Sequence, residues 1–121
     1  MPSCLVVDDS RVVRAVARRI FEGMSFSVAE AENGREALER CGDGMPDVIL
    51  LDWNMPVMDG IDFLRTLRAR PDGLGPTVIF CTTEREAGRI SQAIEAGADE
   101  YIMKPFDSDI VHSKLEQAGA I

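Results

Sequence analysis

Four ionisable residues of this chain end or follow short apolar runs, and their types suit chemistry on phosphate. They are Asp8, Asp9, Asp52 and Lys104. Carboxylates bind hard cations such as Mg²⁺, and a lysine ammonium is a compact positive charge that can contact a phosphoryl oxygen. A carboxylate is also a known nucleophile that forms an aspartyl-phosphate. With a hydroxyl from Thr82 or Thr83, the set could transfer a phosphoryl group to Asp52, provided that the fold brings it together.

The elements that must position these residues follow a regular alternation. Apolar runs predict strands at residues 4–9, 26–31, 47–52, 77–83 and 99–103. Helical spacing of apolar residues follows each run: the first helix is capped by Ser10, the second covers 33–41, and the last covers 107–120. Strands that alternate strictly with helices predict an α/β domain with a parallel sheet.

The carboxyl ends of parallel strands meet at one functional edge of the sheet. We therefore expect Asp8, Asp9 and Asp52 to share a pocket with Lys104. Three carboxylates within a few ångströms repel one another and shift one another's pKa unless a cation is present. Mg²⁺ is the natural match because it accepts a few carboxylates together with water and phosphate oxygens.

Composition excludes several classes of function. The net charge of −8 over 121 residues argues against a general nucleic-acid or anionic-membrane binder. No apolar run approaches the roughly 18–20 residues that span a bilayer, and the start MPSCLVVDD does not resemble a signal peptide. The three scattered cysteines suit a reducing cytoplasm. Four arginines lie in residues 10–20, where we expect a solvated helix face.

Four motifs carry a resemblance to a known family. VVDDS, LLDWNMPVMDG, FCTTE and YIMKPF occur in this order on the expected elements. The chain resembles the receiver domains of two-component response regulators, and most of all the single-domain, chemotaxis-type members. The resemblance implies a flavodoxin-like (βα)5 fold, a doubly wound five-stranded parallel sheet of order 2-1-3-4-5. That order is taken from the family and not from the pattern. We expect one receiver domain over 1–121 with no output domain.

The resemblance also assigns the site residues. It implies that Asp52 is the phosphoacceptor, and that Asp8 and Asp9 hold Mg²⁺ together with Asp52. Asp9 is the more direct ligand of the first two, and the backbone carbonyl of Asn54 completes the protein's share. Lys104 contacts the phosphoryl group.

The remaining assignments concern the switch and the lifetime of the phosphate. The resemblance implies that Thr82 is the switch hydroxyl, that Tyr101 is the switch aromatic, and that the Lys104–Pro105 bond is cis. Thr83 departs from the family, which commonly has Ala or Gly there, and could slow dephosphorylation. Asn54 and Glu84 occupy the two positions thought to tune that rate.

The implied function is Mg²⁺-dependent transfer of a phosphoryl group to Asp52 from a histidine kinase or phosphotransfer protein. The phosphorylated chain then binds a downstream protein through its fourth helix, fifth strand and fifth helix, a face that includes Ile90, Tyr101, Met103 and Lys114. We expect a cytoplasmic bacterial monomer that binds no nucleic acid and does not insert into membranes. Its only catalysis would be its own phosphorylation and dephosphorylation. A messenger to a flagellar switch, a phosphorelay shuttle and a phosphate sink remain open.

Other classes of protein fit less well. A phosphatase of the haloacid dehalogenase type needs a second Asp two residues after the nucleophile, where this chain has Asn54. A nucleotide-binding module needs a glycine-rich phosphate loop, and neither standard pattern occurs. A receiver-like module that binds partners without phosphorylation is the better alternative, although such a module typically lacks an acid or the lysine.

Overall fold

The computed structural model describes residues 1–83 and 88–121, in which five strands alternate with five helices. The strands are β1 (Ser3–Val7), β2 (Ser27–Ala31), β3 (Val48–Asp52), β4 (Thr77–Thr82) and β5 (Glu100–Met103). The helices are α1 (Arg11–Gly23), α2 (Gly34–Asp43), α3 (Gly60–Arg68), α4 (Ile90–Ala96) and α5 (Ser108–Gln117). Each predicted strand is present, with its bounds shifted by at most two residues.

The sheet has the order β2-β1-β3-β4-β5, and every neighbouring pair is parallel. This confirms the flavodoxin-like topology. The central strand β3 is buried along its whole length, which explains why its sequence is a continuous apolar run and not an alternating one. Because all strands run the same way, their carboxyl ends lie at one edge of the sheet.

Each face of the sheet has its own hydrophobic core. Successive side chains of a strand point to opposite faces, so Leu5 and Ile49 pack with residues of α2, α3 and α4. Their neighbours Cys4 and Val48 pack with residues of α1 and α5. Helices thus cover both faces, as in a doubly wound fold.

The predicted helix faces need two corrections. The helical spacing of apolar residues in the sequence predicts that Val16 of α1 and Ile110 of α5 face inward, but they are 46% and 41% exposed. The buried residues of α1 are Ala17 and Phe21, and Phe21 packs edge-on against Phe26 with ring centroids 5.3 Å apart.

The arginines of α1 do not form the fully solvated face that we expected. Arg11 and Arg19 are exposed, but Arg14 and Arg18 both form ion pairs with Glu30 at the end of β2. Helical spacing predicted correctly which face of α1 carries the arginines. It could not show that a glutamate of the neighbouring strand meets this face.

Arg68 joins the ends of α3 and α4. Its guanidinium donates hydrogen bonds to the carbonyls of Gly73 (2.8 Å), Pro76 (2.9 Å) and Gly97 (2.9 Å and 3.0 Å). It also pairs with Asp99 at 3.0 Å. Gly97 ends α4 with a φ of 116°, and a Cβ there would lie 2.8 Å from the Cγ of Arg68. The glycine therefore allows both the left-handed turn and the close approach of the arginine.

Two further findings concern the described residues. Across 1–83 and 88–121, no helix combines the length and apolarity needed to cross a membrane. The three cysteines are free and buried, and burial raises the pKa of the Cys41 thiol to about 11. The thiols therefore stay protonated and pack as small apolar side chains.

Candidate phosphoryl-transfer site

Four of the predicted site residues meet at the carboxyl edge of the sheet. Asp8 follows β1, Asp52 and Thr82 are the last residues of β3 and β4, and Lys104 follows β5. The backbone connects two of them directly, since the amide of Lys104 donates to the carbonyl of Thr82 at 2.8 Å. The sequence pattern therefore predicted the convergence of these residues correctly.

Lys104 is the cation at the centre of this cluster. Its ammonium nitrogen lies 2.7 Å from Oδ2 of Asp8 and 2.9 Å from Oδ1 of Asp52. Asp8 and Asp52 are only 3% and 8% exposed. Charges this well buried are costly unless they are paired, and here one ammonium serves two carboxylates.

This geometry shifts the pKa of two groups. Burial raises the pKa of the Asp52 carboxyl; the hydrogen bond from Lys104 opposes this shift without cancelling it, and the charge of Asp8 adds to it. Burial alone would lower the pKa of Lys104, but its hydrogen bonds to the two carboxylates outweigh that effect and raise it. Lys104 therefore stays charged, while the ionised form of Asp52 lacks full compensation.

Asp9 completes a carboxylate triad that can hold a metal ion. One oxygen each from Asp8, Asp9 and Asp52 lies within 4.8 Å of the others. Asp9 is exposed whereas the other two acids are buried, so water can reach the same place. A set of hard oxygen donors open to water fits Mg²⁺, which keeps several waters when it binds to protein.

The loop after β3 contains the motif NMPVMDG and packs against the backbone of Asp52. The side chain of Asp59 caps α3 by accepting from the amide of Asp62 at 2.9 Å. The next residue, Gly60, packs so closely that a Cβ would lie 2.2 Å from the carbonyl oxygen of Asp52. Asn54 is exposed in this loop, and its carbonyl as a metal ligand stays a prediction.

The predicted switch residues lie on neighbouring strands, Thr82 at the end of β4 and Tyr101 within β5. Thr82 is 2% exposed, and its hydroxyl donates to the carbonyl of Thr83 at 3.1 Å. Thr83 is half-buried directly after β4. Glu84, the second position expected to tune dephosphorylation, lies outside the described residues. The Lys104–Pro105 bond is cis, as expected.

Tyr101 is half-buried on β5, and its ring is covered by a cation. The ammonium of Lys114 on α5 lies 4.3 Å from the ring centroid. The same ammonium pairs with Glu100 at 3.3 Å, and Glu100 accepts from the amide of Tyr101 at 3.0 Å. Ile90 and Met103, also predicted on this face, are likewise half-buried.

Two contacts at the site were missed by sequence reasoning. Trp53 is buried between the ring of Phe80, 4.7 Å away between centroids, and the guanidinium of Arg89, 4.3 Å above it. Arg14 donates to the backbone carbonyl of Asp8 at 2.7 Å. No short-range sequence pattern predicts the contact between Trp53 and Arg89. Arg14 belongs to the group of arginines that was expected on a solvated helix face.

Known proteins of nearly the same length are similar to this chain. It is 38% identical over 120 residues to the chemotaxis protein CheY of Listeria monocytogenes, which covers 98% of this chain and 99% of that protein. It is 35% identical over 114 residues to CheY of Pseudomonas aeruginosa, with 93% and 92% covered. The solved structure of CheY4 of Vibrio cholerae matches with a TM-score of 0.90 at 30% identity, covering 98% of each chain.

The match to the family spans both the strands and the site. Residues 4–116 match the response regulator receiver domain, a range that contains the acidic cluster, Thr82 and Lys104. The fold, the strand order and the position of the cluster agree with that match. The chain therefore belongs to the family of response regulator receiver domains.

Proposed function

We propose that this chain is a phosphoacceptor response regulator that receives a phosphoryl group on Asp52. The observation that carries this proposal is the ammonium of Lys104, held 2.7 Å from Asp8 and 2.9 Å from Asp52 beside the carboxylate triad. The donor is a phosphohistidine of a histidine kinase or a phosphotransfer protein. Outside this chemistry on itself, the chain is not an enzyme.

The transfer breaks one bond and forms another. A carboxylate oxygen of Asp52 attacks the phosphorus atom, the bond from phosphorus to the histidine nitrogen breaks, and the imidazole keeps its electron pair. Asp8, Asp9 and Asp52, with the Asn54 carbonyl, would hold Mg²⁺, which would supply positive charge for the phosphoryl oxygens. Lys104 is positioned to donate to one of these oxygens, as transfer of this kind depends mainly on positioning and charge neutralisation.

The switch follows from the residues around the new phosphoryl group. Thr82 now donates to a backbone carbonyl and would donate to the phosphoryl group instead, moving the end of β4 inward. Tyr101 would then turn inward and leave the ammonium of Lys114. The phosphoryl group biases the two states through its different interactions with each.

The output is a surface made by α4, β5 and α5 that binds a downstream protein. Relatives named as chemotaxis proteins over nearly the full length of this chain support a role as a messenger in chemotaxis. A phosphorelay shuttle or a phosphate sink would use the same chemistry with other partners. We further propose that the chain acts as a monomer in the cytoplasm and binds no nucleic acid.

An apolar groove next to the site offers a docking place for the donor. The groove has a volume of about 290 Å³, and its lining includes Val12, Val16 and Phe106 together with Lys104. Because Lys104 also contacts Asp52, a protein seated in the groove brings its phosphohistidine close to the acceptor. Val16→Asp should slow transfer from a phosphorylated kinase but leave phosphorylation by acetyl phosphate unchanged.

Intact mass after incubation with acetyl phosphate tests the chemistry. Wild type with Mg²⁺ should gain the mass of one phosphoryl group, whereas wild type without Mg²⁺ and Asp52→Asn should gain none. Asp59→Asn is the matched control, because Asp59 lies in the same loop and caps α3 outside the triad. If wild type binds Mg²⁺ but gains no mass, the chain is a phosphorylation-independent or strictly kinase-dependent module, and the proposed mechanism is wrong.

A further inference from the structure

Arg14 connects the proposed metal site to strand β2 and has no role in the function described so far. It lies in α1, and its side chain is 14% exposed. One end of the guanidinium, Nη1, donates to the carbonyl of Asp8 at 2.7 Å, while Nε donates to Oε1 of Glu30 at 3.0 Å. The side chain therefore bridges the loop that holds two predicted metal ligands and the end of a neighbouring strand.

Glu30 is a firm support for this bridge. Its second oxygen accepts from Nε of Arg18 at 2.6 Å. The hydrogen bond from Arg18, and then that from Arg14, lower the pKa of Glu30 against the effect of burial, so the carboxylate stays charged. Glu30 is also fixed by the sheet, where it pairs in register with Val6.

Asp8 is held at each of its polar groups. Its amide donates to the carbonyl of Ala31 at 3.1 Å, and its side chain accepts from the amide of Ser10 at 2.8 Å and from Lys104 at 2.7 Å. Its carbonyl is the group that Arg14 holds. That carbonyl belongs to the planar peptide unit that joins Asp8 to Asp9, so its direction sets how the two carboxylates are placed relative to each other.

We infer that Arg14 is a positioning residue for the divalent-cation site, holding the peptide between Asp8 and Asp9 so that both carboxylates face Asp52. The inference rests on the proposed function, since it concerns the Mg²⁺ of that reaction. Arg14 acts through the backbone of the ligands and touches neither the metal nor the phosphoryl group.

Charge and geometry predict opposite effects of Arg14, which makes the inference testable. A positive side chain near a cation site weakens Mg²⁺ binding by Coulomb repulsion. If Arg14 acted only through its charge, its removal would tighten Mg²⁺ binding. If it positions the ligands, its removal weakens binding, as loss of a group that orients metal ligands typically does by about 10–100-fold.

The experiment is calorimetric titration of the purified chain with MgCl₂ for wild type, Arg14→Met, Arg14→Lys and Arg18→Met. Arg14→Met should weaken Mg²⁺ binding by about tenfold. Arg14→Lys keeps the charge but loses the planar fork that holds both partners, so it should also weaken binding. Arg18→Met is the matched control, because Arg18 shares Glu30 but forms no bond with Asp8 among the described contacts.

A second readout separates positioning from loss of structure. Urea unfolding without Mg²⁺ should show similar losses of stability for Arg14→Met and Arg18→Met, since each removes one ion pair with Glu30 and one further contact, from Arg14 to the Asp8 carbonyl or from Arg18 to Glu22. The rate of phosphorylation by acetyl phosphate should fall for Arg14→Met at low Mg²⁺ and return to the wild-type value at saturating Mg²⁺.

Two results would overturn the inference. One is Mg²⁺ binding by Arg14→Met that equals or exceeds that of wild type; the other is an equal loss for Arg18→Met. Mg²⁺ binding by wild type without phosphorylation would contradict only the proposed function. Failure of wild type to bind Mg²⁺ would overturn both.

Discussion

Two partly buried cations of this molecule, Lys104 and Arg68, are used in opposite ways. Their side chains are 20% and 12% exposed, and each ties together segments that are distant in sequence. Arg68 meets three backbone carbonyls and a single carboxylate, Asp99. Lys104 meets two carboxylates, with a third from Asp9 in the same cluster. One network therefore balances its charge, and the other has an excess of negative charge.

The difference shows how a site for a cation lowers the stability of the folded chain. The planar guanidinium of Arg68 matches each partner with a donor in a fixed geometry, so these contacts stabilise the fold. At the carboxyl edge, burial raises the pKa of Asp52 even though Lys104 donates to it. The electrostatic energy of the carboxylates at this edge is therefore unfavourable, and additional positive charge would lower it. Variants in each network test this contrast.

The largest effect is expected from Arg68→Met. It leaves the carbonyls of Gly73, Pro76 and Gly97 without their donor in a partly buried place, which should lower the free energy of unfolding by about 3 kcal/mol. Urea unfolding followed by circular dichroism measures this. Arg65→Met, at an exposed position of the same helix, should stay within about 0.5 kcal/mol of wild type. A loss below about 1 kcal/mol for Arg68→Met would contradict the balanced network.

Lys104→Met should cost about 2 kcal/mol near neutral pH without Mg²⁺, because Asp8 and Asp52 lose their ammonium. The folded variant then takes up protons more readily than the unfolded chain, so its stability should rise as the pH falls. In wild type the pKa of Lys104 is raised, so the contribution of Lys104 is present at neutral pH and is lost only in the alkaline range. Thermal unfolding between about pH 5 and pH 8 distinguishes the two. The same loss at every pH in this range would contradict the explanation by charge.

Gly97→Ala should cost about 1–2 kcal/mol more than Gly119→Ala. Both glycines have a positive φ, 116° and 76°, so both substitutions strain the backbone. Only at Gly97 does the added Cβ meet Arg68, whereas nothing lies within 4 Å of the one at Gly119. Equal losses in urea unfolding would show that Arg68 yields to the methyl group and does not hold the end of α4 tightly.

The smallest expected effect is a gain in thermal stability. Asp52→Asn should raise the melting temperature by a few degrees at neutral pH without Mg²⁺. The folded pKa of Asp52 is raised by burial, so the ionised carboxylate lowers stability above that pKa, and the gain should vanish at acid pH where wild type is protonated. Asp72→Asn, at an exposed position, is the control and should change little. A lower melting temperature for Asp52→Asn would show that the acid is fully compensated by Lys104.

The residues of the site were easier to predict from the sequence than the residues that hold them in place. Asp8, Asp52 and Lys104 were found because each follows an apolar run, and parallel strands bring their carboxyl ends together. Strand order came from the family resemblance, because alternation alone does not say which strands are neighbours.

The supports depend on contacts between elements, which spacing along the chain does not reveal. Helical periodicity placed Arg14 on the outer face of α1, but its partners Glu30 and Asp8 lie on other segments. Val16 fitted an inward stripe and instead lines the groove beside Phe106. No spacing argument singled out Arg68, although it bonds to a residue 31 positions away.

The bond between Lys104 and Asp8 joins residues 96 positions apart, and that between Lys104 and Asp52 spans 52. Contacts so distant in sequence form slowly, because chain entropy is lost before they contribute energy. During synthesis the acids emerge from the ribosome long before Lys104 and β5. An incompletely synthesised chain thus contains Asp52 but lacks the ammonium of Lys104. On the proposed chemistry, such a chain cannot be phosphorylated. On that chemistry, phosphorylation of Asp52 requires a chain in which Lys104 has already joined the site.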